Sequence, residues 1–372
     1  MKDLAQIIAE LEAENKECAL YGSFVTGNMW TGSDINLLAI EASTGRITSS
    51  ATNYAFGDWH LDIPRITKVV VGNQLLQIEV FPASSLARAA DDWILCDRLY
   101  TAKAGGAAHG PLYRAIENIR VIRNDLALRS RRVDWYVSTV TRLLHEADGD
   151  PRERAFAYRL AALLLGCAQL EASGQTKGSY KRLYRQCQSA GDEGFRAAYE
   201  RLYAIEGIDN DRLSKLLARG LQIMEEMRRY YETRTEELRN AGAGLCESLT
   251  TTLAISSKGV PTGKGILENL QIGDREAALD CLRKATLWLT NSAVKIQAAA
   301  TGAWPVPGGY FAALRNMPYG QETVTPFLVD LFALNDDADR LQQAFESLVN
   351  RYRQPADGVS QDSPAFVRAG RA

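Results

Sequence analysis

The sequence predicts an α+β fold, with an N-terminal mixed sheet and flanking helices followed by two all-α helical-bundle modules. Two observations predict it. Short β-forming runs alternate with Gly- and Ser-bearing turns as far as Phe81, and from Pro111 apolar residues recur at helical spacing over long segments. The expected domains are therefore 1–108 (sheet), 109–240 (helical bundle) and 241–353 (second helical module), with a disordered polar tail over 354–372.

The first elements follow from short apolar patterns. Residues 3–16 place Leu4, Ile7, Ile8 and Leu11 on one helical stripe, which predicts a helix that covers the sheet. Strands are expected over 18–20 and 35–40, before a Ser-, Thr- and Gly-rich stretch, 41–58, that the pattern does not assign.

Further strands are expected over 59–66 and as a hairpin, in which the turn at Gly72-Asn73 joins 68–71 to 75–81. After Pro82, Ser84-Ser85 predicts a capped helix over 86–91.

The helical part opens at Pro111. Spacing predicts helices over 112–131, 133–147 and 152–172, and the last is apolar on nearly every side, which is typical of the buried centre of a bundle. Three later stretches echo earlier ones in the same order: those from Gly273, Gly308 and Asp330 resemble those from Gly149, Gly178 and Arg201, at offsets of 124, 130 and 129 residues. This order predicts an internal repeat of one helical module.

Composition narrows the class of protein. In 372 residues, 43 Lys and Arg nearly balance 45 Asp and Glu, so no broad attraction to nucleic acid is expected. The six cysteines lack metal-ligand spacing and indicate reduced core residues. The N-terminus has the pattern of an acidic amphipathic helix rather than of a signal peptide, and no apolar run is expected to span a bilayer, which favours a cytoplasmic location.

The stretch 20–40 holds the candidate chemistry. Gly22-Ser23 follows a strand, where a flexible residue and a hydroxyl can bring backbone N–H groups close to a phosphate. Ser33 then precedes Asp34 and Asn36, which point to the same side of the next strand. Two oxygen ligands on one face suit Mg²⁺.

These residues resemble the polymerase beta-like nucleotidyltransferase superfamily, whose signature is a Gly-Ser pair followed by a strand bearing Asp-x-Asp or Asp-x-Glu; the layout is closest to kanamycin nucleotidyltransferase. Asn36 departs from that signature, since it stands where the family has a second metal carboxylate. The resemblance implies nucleotide binding by Gly22, Ser23 and Ser33, and Mg²⁺ binding by Asp34, Asn36 and a later acid.

For that later acid we favour Glu79, which is central in the β-forming run 75–81, over Asp62, which lies close to Pro64. The family also has a glutamate in its helical domain as general base for the acceptor hydroxyl. The resemblance places this base at Glu146, with Glu117 and Glu153 as competitors.

The predicted function is transfer of a nucleoside monophosphate from an NTP to a hydroxyl of a small molecule, such as an antibiotic or another metabolite, with release of pyrophosphate. Asp34, Glu79 and Glu146 are the predicted catalytic residues. The alternative is a nucleotidyltransferase fold with impaired catalysis that serves as a nucleotide-binding or regulatory, antitoxin-like module, for which Asn36 is the main indication. A template-type polymerase and a membrane role are not expected, and the second helical module could close over the acceptor or form a homodimer.

Overall fold

The computed structural model describes most of the chain. The described residues are 3–14, 16–27, 35–41, 52–53, 57–58, 65–71, 74–90, 93–104, 110–147, 151–175, 183–205, 208–232, 264–301, 309–317 and 320–353. The α+β class is confirmed, because a small mixed sheet in the N-terminal part is followed by helices.

The sheet is built from strands of both directions. The described strands are β1 (Glu17–Tyr21), β2 (Ile35–Glu41), β3 (Thr52–Asn53), β4 (Gly57–Asp58), β5 (Arg65–Val71), β6 (Gln74–Pro82) and β7 (Lys103–Ala104). The main sheet has the order β5-β6-β2-β1-β7, in which β2 and β6 run parallel and the other neighbours run antiparallel. β3 and β4 pair separately. The predicted hairpin is the β5–β6 pair, and most of the predicted strand 59–66 lies outside the described residues.

Helices form the largest part of the described chain. In chain order they are α1 (Leu4–Ala13), α2 (Trp93–Thr101), α3 (Pro111–Ile122), α4 (Leu126–Glu146), α5 (Pro151–Ala172), α6 (Leu183–Ala190), α7 (Glu193–Tyr203), α8 (Asn210–Glu232), α9 (Lys264–Gln271), α10 (Arg275–Thr301), α11 (Tyr310–Arg315), α12 (Thr325–Leu331) and α13 (Ala338–Arg353). Short 3₁₀ segments at Gly22–Phe24 and Ala83–Arg88 and a π-helical turn at Gly320–Val324 complete the described elements.

Two predicted helix boundaries are wrong. The helix expected over 112–131 ends at Ile122, because Asp125 begins a new helix by accepting a hydrogen bond from the N–H of Leu128 at 3.0 Å. The helix expected over 86–91 is instead the 3₁₀ segment Ala83–Arg88, whose N-cap is Pro82, so Ser84 and Ser85 lie inside the segment rather than before it.

Each face of the sheet carries its own apolar core. On one face, Ile7 of α1 packs with inward residues of the strands such as Leu37 and Ile78. On the other, Leu38 and Phe81 pack with residues of α2 and α3, including Leu95 and Ile116. Successive strand residues therefore face opposite helices, as the two-residue period requires.

The chain divides into two compact units, each formed from separated segments. Unit 1 contains Met1–Arg123 and Leu217–Pro305, and unit 2 contains Asn124–Leu216 and Val306–Ala372. The predicted domain boundaries at 108, 240 and 353 concern segments that fold independently. A division into compact units does not test independent folding, so these boundaries stay a prediction.

Unit 2 is organised around α5. Phe156 stacks on Tyr310 at 5.2 Å between ring centroids and meets Phe311 and Phe332 edge-on. The buried guanidinium of Arg159 donates to the carbonyl of Leu202 at 2.9 Å and of Phe332 at 2.8 Å, and it pairs with Asp336. One side chain of α5 thus ties the carboxyl ends of α7 and α12 together.

By length and composition alone, α5 could cross a membrane, which the sequence analysis did not expect. However, 89% of its apolar window is buried inside the protein, as in the core helix of a bundle.

The described cysteines support the core assignment. Cys18, Cys96, Cys167, Cys187 and Cys281 are all buried, and Cys246 lies outside the described residues. Burial raises the pKa of the Cys18 thiol to about 12, so this thiol stays protonated at neutral pH.

Candidate functional site

The Gly-Ser pair forms a tight turn at the end of β1. Gly22 has a φ of +78°, a left-handed conformation that L side chains rarely adopt. Its carbonyl accepts hydrogen bonds from the N–H groups of Val25 and Thr26, both at 3.1 Å, which closes the turn. Ser23 is half-buried within it. The first N–H groups of a helical turn have no acceptor within the turn, so an anion can accept from them.

Asn36 lies directly beside this turn. It pairs with Tyr21, the last residue of β1, in the antiparallel register. A Cβ placed on Gly22 would lie 3.3 Å from Asn36 Nδ2. Glycine at position 22 therefore leaves space for the Asn36 amide next to the predicted phosphate turn.

Two polar side chains of β6 share the sheet face of Asn36. In the parallel β2–β6 register, Gln77 lies opposite Asn36 and Glu79 lies opposite Leu38. Residues 77 and 79 point away from the α1 core, to which Ile78 belongs. The structure thus places Gly22 next to Asn36, and Asn36 on the same sheet face as Glu79. It also adds Gln77, which the sequence analysis missed and which only the register could have indicated.

Glu79 already has a cationic partner. Its carboxylate is 2% exposed and forms an ion pair with Arg98 of α2: Nη2 donates to Oε1 at 3.0 Å, and Nε lies 2.6 Å from Oε2 without forming a hydrogen bond to it. Gln77 Nε2 donates to Oε1 as well, at 2.7 Å. Arg98 is the second residue that the sequence did not indicate. It lies in a segment whose pattern was recognised only through its apolar residues.

Aromatic rings enclose the ion pair. The Arg98 guanidinium carbon lies 5.8 Å from the ring centroid of Tyr21 and 5.5 Å from that of Phe81, within the range of cation–π attraction. Burial raises the pKa of Tyr21 well above its usual range; the Arg98 charge lowers it in part, while Glu79 raises it further. Tyr21 is therefore a neutral hydrogen-bonding phenol in this cluster.

The described residues alone do not form the predicted metal site. Asn36 Nδ2 is the atom that approaches Gly22, and the Glu79 carboxylate forms an ion pair with Arg98. Among the described residues, no group of three or more His, Cys, Asp and Glu side chains is placed to hold a metal ion. Ser33, Asp34 and the competing acid Asp62 lie outside the described residues, so the predicted metal set stays a prediction.

The three candidate bases have different surroundings. Glu117 is exposed on α3, where its Oε1 lies 2.7 Å from Arg120 Nη1. Glu153, in unit 2, is buried and accepts a hydrogen bond from the N–H of Phe311. Glu146 is the last residue of α4, and the placement of its side chain lies outside what the structure describes. Both described competitors are engaged in contacts of their own, and the assignment of Glu146 stays a prediction.

The described part of the site consists of a glycine turn after the first strand and polar residues on one face of two parallel neighbouring strands. Comparison with protein-family models and with curated proteins found no match for this chain.

Proposed function

We propose that the chain transfers a nucleoside monophosphate from an NTP to a hydroxyl of a small molecule and releases pyrophosphate. The observation that carries this proposal is the grouping of the left-handed Gly22 turn with Asn36 and Glu79 on one sheet face. The same order of elements underlies the resemblance to the nucleotidyltransferase superfamily.

In this proposal the chain mainly positions its substrates. The turn at Gly22 and Ser23, with Ser33, holds the triphosphate through N–H and hydroxyl donors. Asp34 and Asn36 hold Mg²⁺, with Glu79 as the third predicted ligand. When bound, Mg²⁺ supplies positive charge that offsets the charge developing on the phosphates. Glu146 is the residue proposed to accept the proton of the acceptor hydroxyl.

A second function is favoured by a specific observation. Asn36 and Gln77 are neutral, and the Glu79 charge is matched by Arg98 at 2.6 Å. Few carboxylates are then left to bind the metal ion that catalysis needs. This favours a protein that binds nucleotide without converting it, as a regulatory or antitoxin-like module does. Of the predicted metal ligands, only Asp34 and Glu79 are acids, and Glu79 is paired with Arg98.

One series of experiments separates the two functions. Titration calorimetry with each NTP in the presence of Mg²⁺ measures binding, and a pyrophosphate-release assay on a panel of hydroxylated metabolites measures turnover. Transfer predicts both, and binding with no turnover on any acceptor supports the second function.

In Asn36→Asp we expect tighter, Mg²⁺-dependent nucleotide binding, because the substitution restores a carboxylate. The matched variant Asn53→Asp, on the separate β3–β4 pair, should bind nucleotide as the unmodified chain does.

We further infer that the helical part contains two copies of one module. At the predicted offset of 129 residues, Ala204 after α7 and Ala333 after α12 both adopt left-handed backbone, with φ of +54° and +48°. At the offset of 124, Arg159 of α5 and Arg283 of α10 are both buried. These pairs support the repeat. The second copy is proposed to close over the acceptor or to mediate a homodimer.

A further inference from the structure

The polar end of the sheet face beside α2 has a closed part and an open part. Glu79 is buried against Arg98, and two aromatic rings cover the guanidinium. Gln77, two residues before Glu79 on β6, is only half-buried, and so is its neighbour Asn36 on β2. A ligand at this face can therefore reach the amides of Gln77 and Asn36, but not the ion pair behind them.

The orientation of the Gln77 amide is set by Glu79. Gln77 Nε2 donates to Glu79 Oε1 at 2.7 Å, and the same oxygen accepts from Arg98 Nη2 at 3.0 Å. A carboxylate paired with an arginine only accepts hydrogen bonds, so the amide nitrogen of Gln77, and not its oxygen, has to face Glu79. The carbonyl Oε1 of Gln77 is consequently directed away from Glu79, as a hydrogen-bond acceptor of fixed orientation.

Asn36 places a donor next to this acceptor. In the parallel register Asn36 and Gln77 are direct neighbours on strands about 4.8 Å apart, and their side chains share one sheet face. Asn36 Nδ2 is the amide atom that approaches Gly22. A neutral donor beside a neutral acceptor matches a hydroxyl group, which both accepts and donates a hydrogen bond.

We infer that Gln77 is a specificity-determining residue whose Oε1 accepts a hydrogen bond from a hydroxyl group of the substrate, and that Glu79 with Arg98 positions its amide. This inference rests on the proposed nucleotide site. Two substrates carry such a hydroxyl: the nucleotide, on its sugar, and the acceptor molecule. A substrate that lacks the hydroxyl leaves the Gln77 carbonyl without its partner, which lowers affinity.

Deoxynucleotides distinguish the two sources. Titration calorimetry on the full chain compares each of the four NTPs with the deoxy counterparts that lack one or the other sugar hydroxyl. If the sugar supplies the hydroxyl, the NTP should bind roughly tenfold more tightly than one of its counterparts. If the acceptor supplies it, all of these nucleotides should bind equally, and Gln77→Met should raise the acceptor KM roughly tenfold in the pyrophosphate-release assay, with kcat unchanged.

Variants assign the preference for the hydroxyl to Gln77 and its neighbours. Gln77→Met removes both polar atoms at similar side-chain length and should abolish the preference. Arg98→Met combined with Glu79→Gln replaces the carboxylate by an amide that both donates and accepts, so Gln77 is no longer held in one orientation and the preference should fall roughly threefold. Gln188→Met is the matched control, because the half-buried Gln188 also donates to a carboxylate, that of Glu200 at 3.4 Å; it should leave the preference unchanged.

Circular dichroism establishes that each variant is folded. A folded Gln77→Met that keeps both the nucleotide preference and the acceptor KM of the unmodified chain would overturn the inference and leave the proposed function intact. In a chain that binds nucleotide without turnover, equal affinities for the NTPs and their deoxy counterparts would also overturn it. A chain that binds none of the four NTPs would contradict the proposed function itself, and the inference with it. If Gln77→Met does not fold, an unchanged preference in the ion-pair variant overturns the inference.

Discussion

Gly22 carries two constraints, of which Gly27, five residues later, shares only one. Both have left-handed backbone, with φ of +78° and +73°. A Cβ at Gly22 would lie 3.3 Å from Asn36 Nδ2, whereas a Cβ at Gly27 would meet nothing within 4 Å. The two glycines therefore form a matched pair. An added side chain would strain the backbone at both positions, but only at Gly22 would it also approach Asn36.

Alanine at each position tests this difference. Both Gly22→Ala and Gly27→Ala should lower the free energy of unfolding by about 1 kcal/mol, the usual cost of a left-handed alanine. Only Gly22→Ala should also weaken nucleotide binding, by roughly tenfold, which corresponds to a displacement of Asn36 worth about 1.4 kcal/mol. Urea unfolding and titration calorimetry measure the two effects. Equal losses of nucleotide affinity in both variants would contradict a role for the contact with Asn36.

The sequence predicted candidate site residues only where they belong to local patterns. Gly22 and Asn36 belong to one short stretch, and Glu79 stands out as an acid within a β-forming run. Arg98 could not be found in this way, because its partner lies 19 residues away and their contact depends on how α2 packs against the sheet. Gln77 is likewise visible only through the β2–β6 register. Side chains that meet through tertiary packing leave no periodic signal.

At the scale of elements, the ends of helices were predicted less well than their centres. Apolar spacing continues across 112–131, yet α3 ends at Ile122 and α4 begins at Leu126. The signal that mattered was Asp125, whose side chain can cap a helix N-terminus as well as lie on a solvated face. Periodicity reports which face is buried, whereas a cap decides where the helix begins.

The two left-handed alanines of the proposed repeat allow a prediction at this scale. Ala204→Gly and Ala333→Gly relieve the strain of positive φ, so each should raise the free energy of unfolding by about 0.5–1 kcal/mol. Ala218→Gly, at an exposed position inside α8, is the control and should lower it by about 1 kcal/mol. Urea unfolding curves measure all three. If the two repeat positions lose stability as the control does, their left-handed backbone is not a shared feature of the modules.

The N-cap of α7 gives a pH dependence. Burial alone would raise the pKa of Asp192, but the N–H of Phe195, at 2.8 Å, and Arg351 of α13 together hold it below its usual value of 3.8. Because the folded-state pKa is the lower one, the stabilisation is complete above pH 3.8 and is lost as the pH falls through the folded value.

Asp192→Asn keeps a capping side chain but removes the charge. At pH 7 the variant should be less stable by about 0.5 kcal/mol, a size typical of an ion pair this exposed to solvent. The difference between the two proteins should shrink as the pH falls below 3.8 and should shrink at pH 7 in high salt. Urea unfolding at a series of pH values measures it. A difference that stays constant down to pH 2 would indicate that the cap, rather than the charge, is responsible.

At the scale of the whole molecule, the chain alternates between its two compact units. Unit 2 takes one segment from 124–216 and another from 306–372, and the intervening residues belong to unit 1. The aromatic cluster around Phe156 and the hydrogen bonds of Arg159 both join these distant segments. A helical module that ended at residue 240 would keep α5 but lose the aromatic partners of Phe156 and one of the carbonyl partners of Arg159.

A truncated chain of residues 1–240 tests whether the predicted module 109–240 folds independently. Tyr310, Phe311 and Phe332 would be missing from the Phe156 cluster, and the loss of a single large core aromatic costs about 3–5 kcal/mol. Three such losses are comparable to the whole stability of a domain, about 5–15 kcal/mol. We therefore expect 1–240 to melt without a cooperative helical transition, as followed by circular dichroism at 222 nm. The control is a chain of residues 1–353, which keeps every described element and should melt as the full chain does. A cooperative transition of 1–240 near that of the control would instead establish the boundary at 240 as the end of an independent domain.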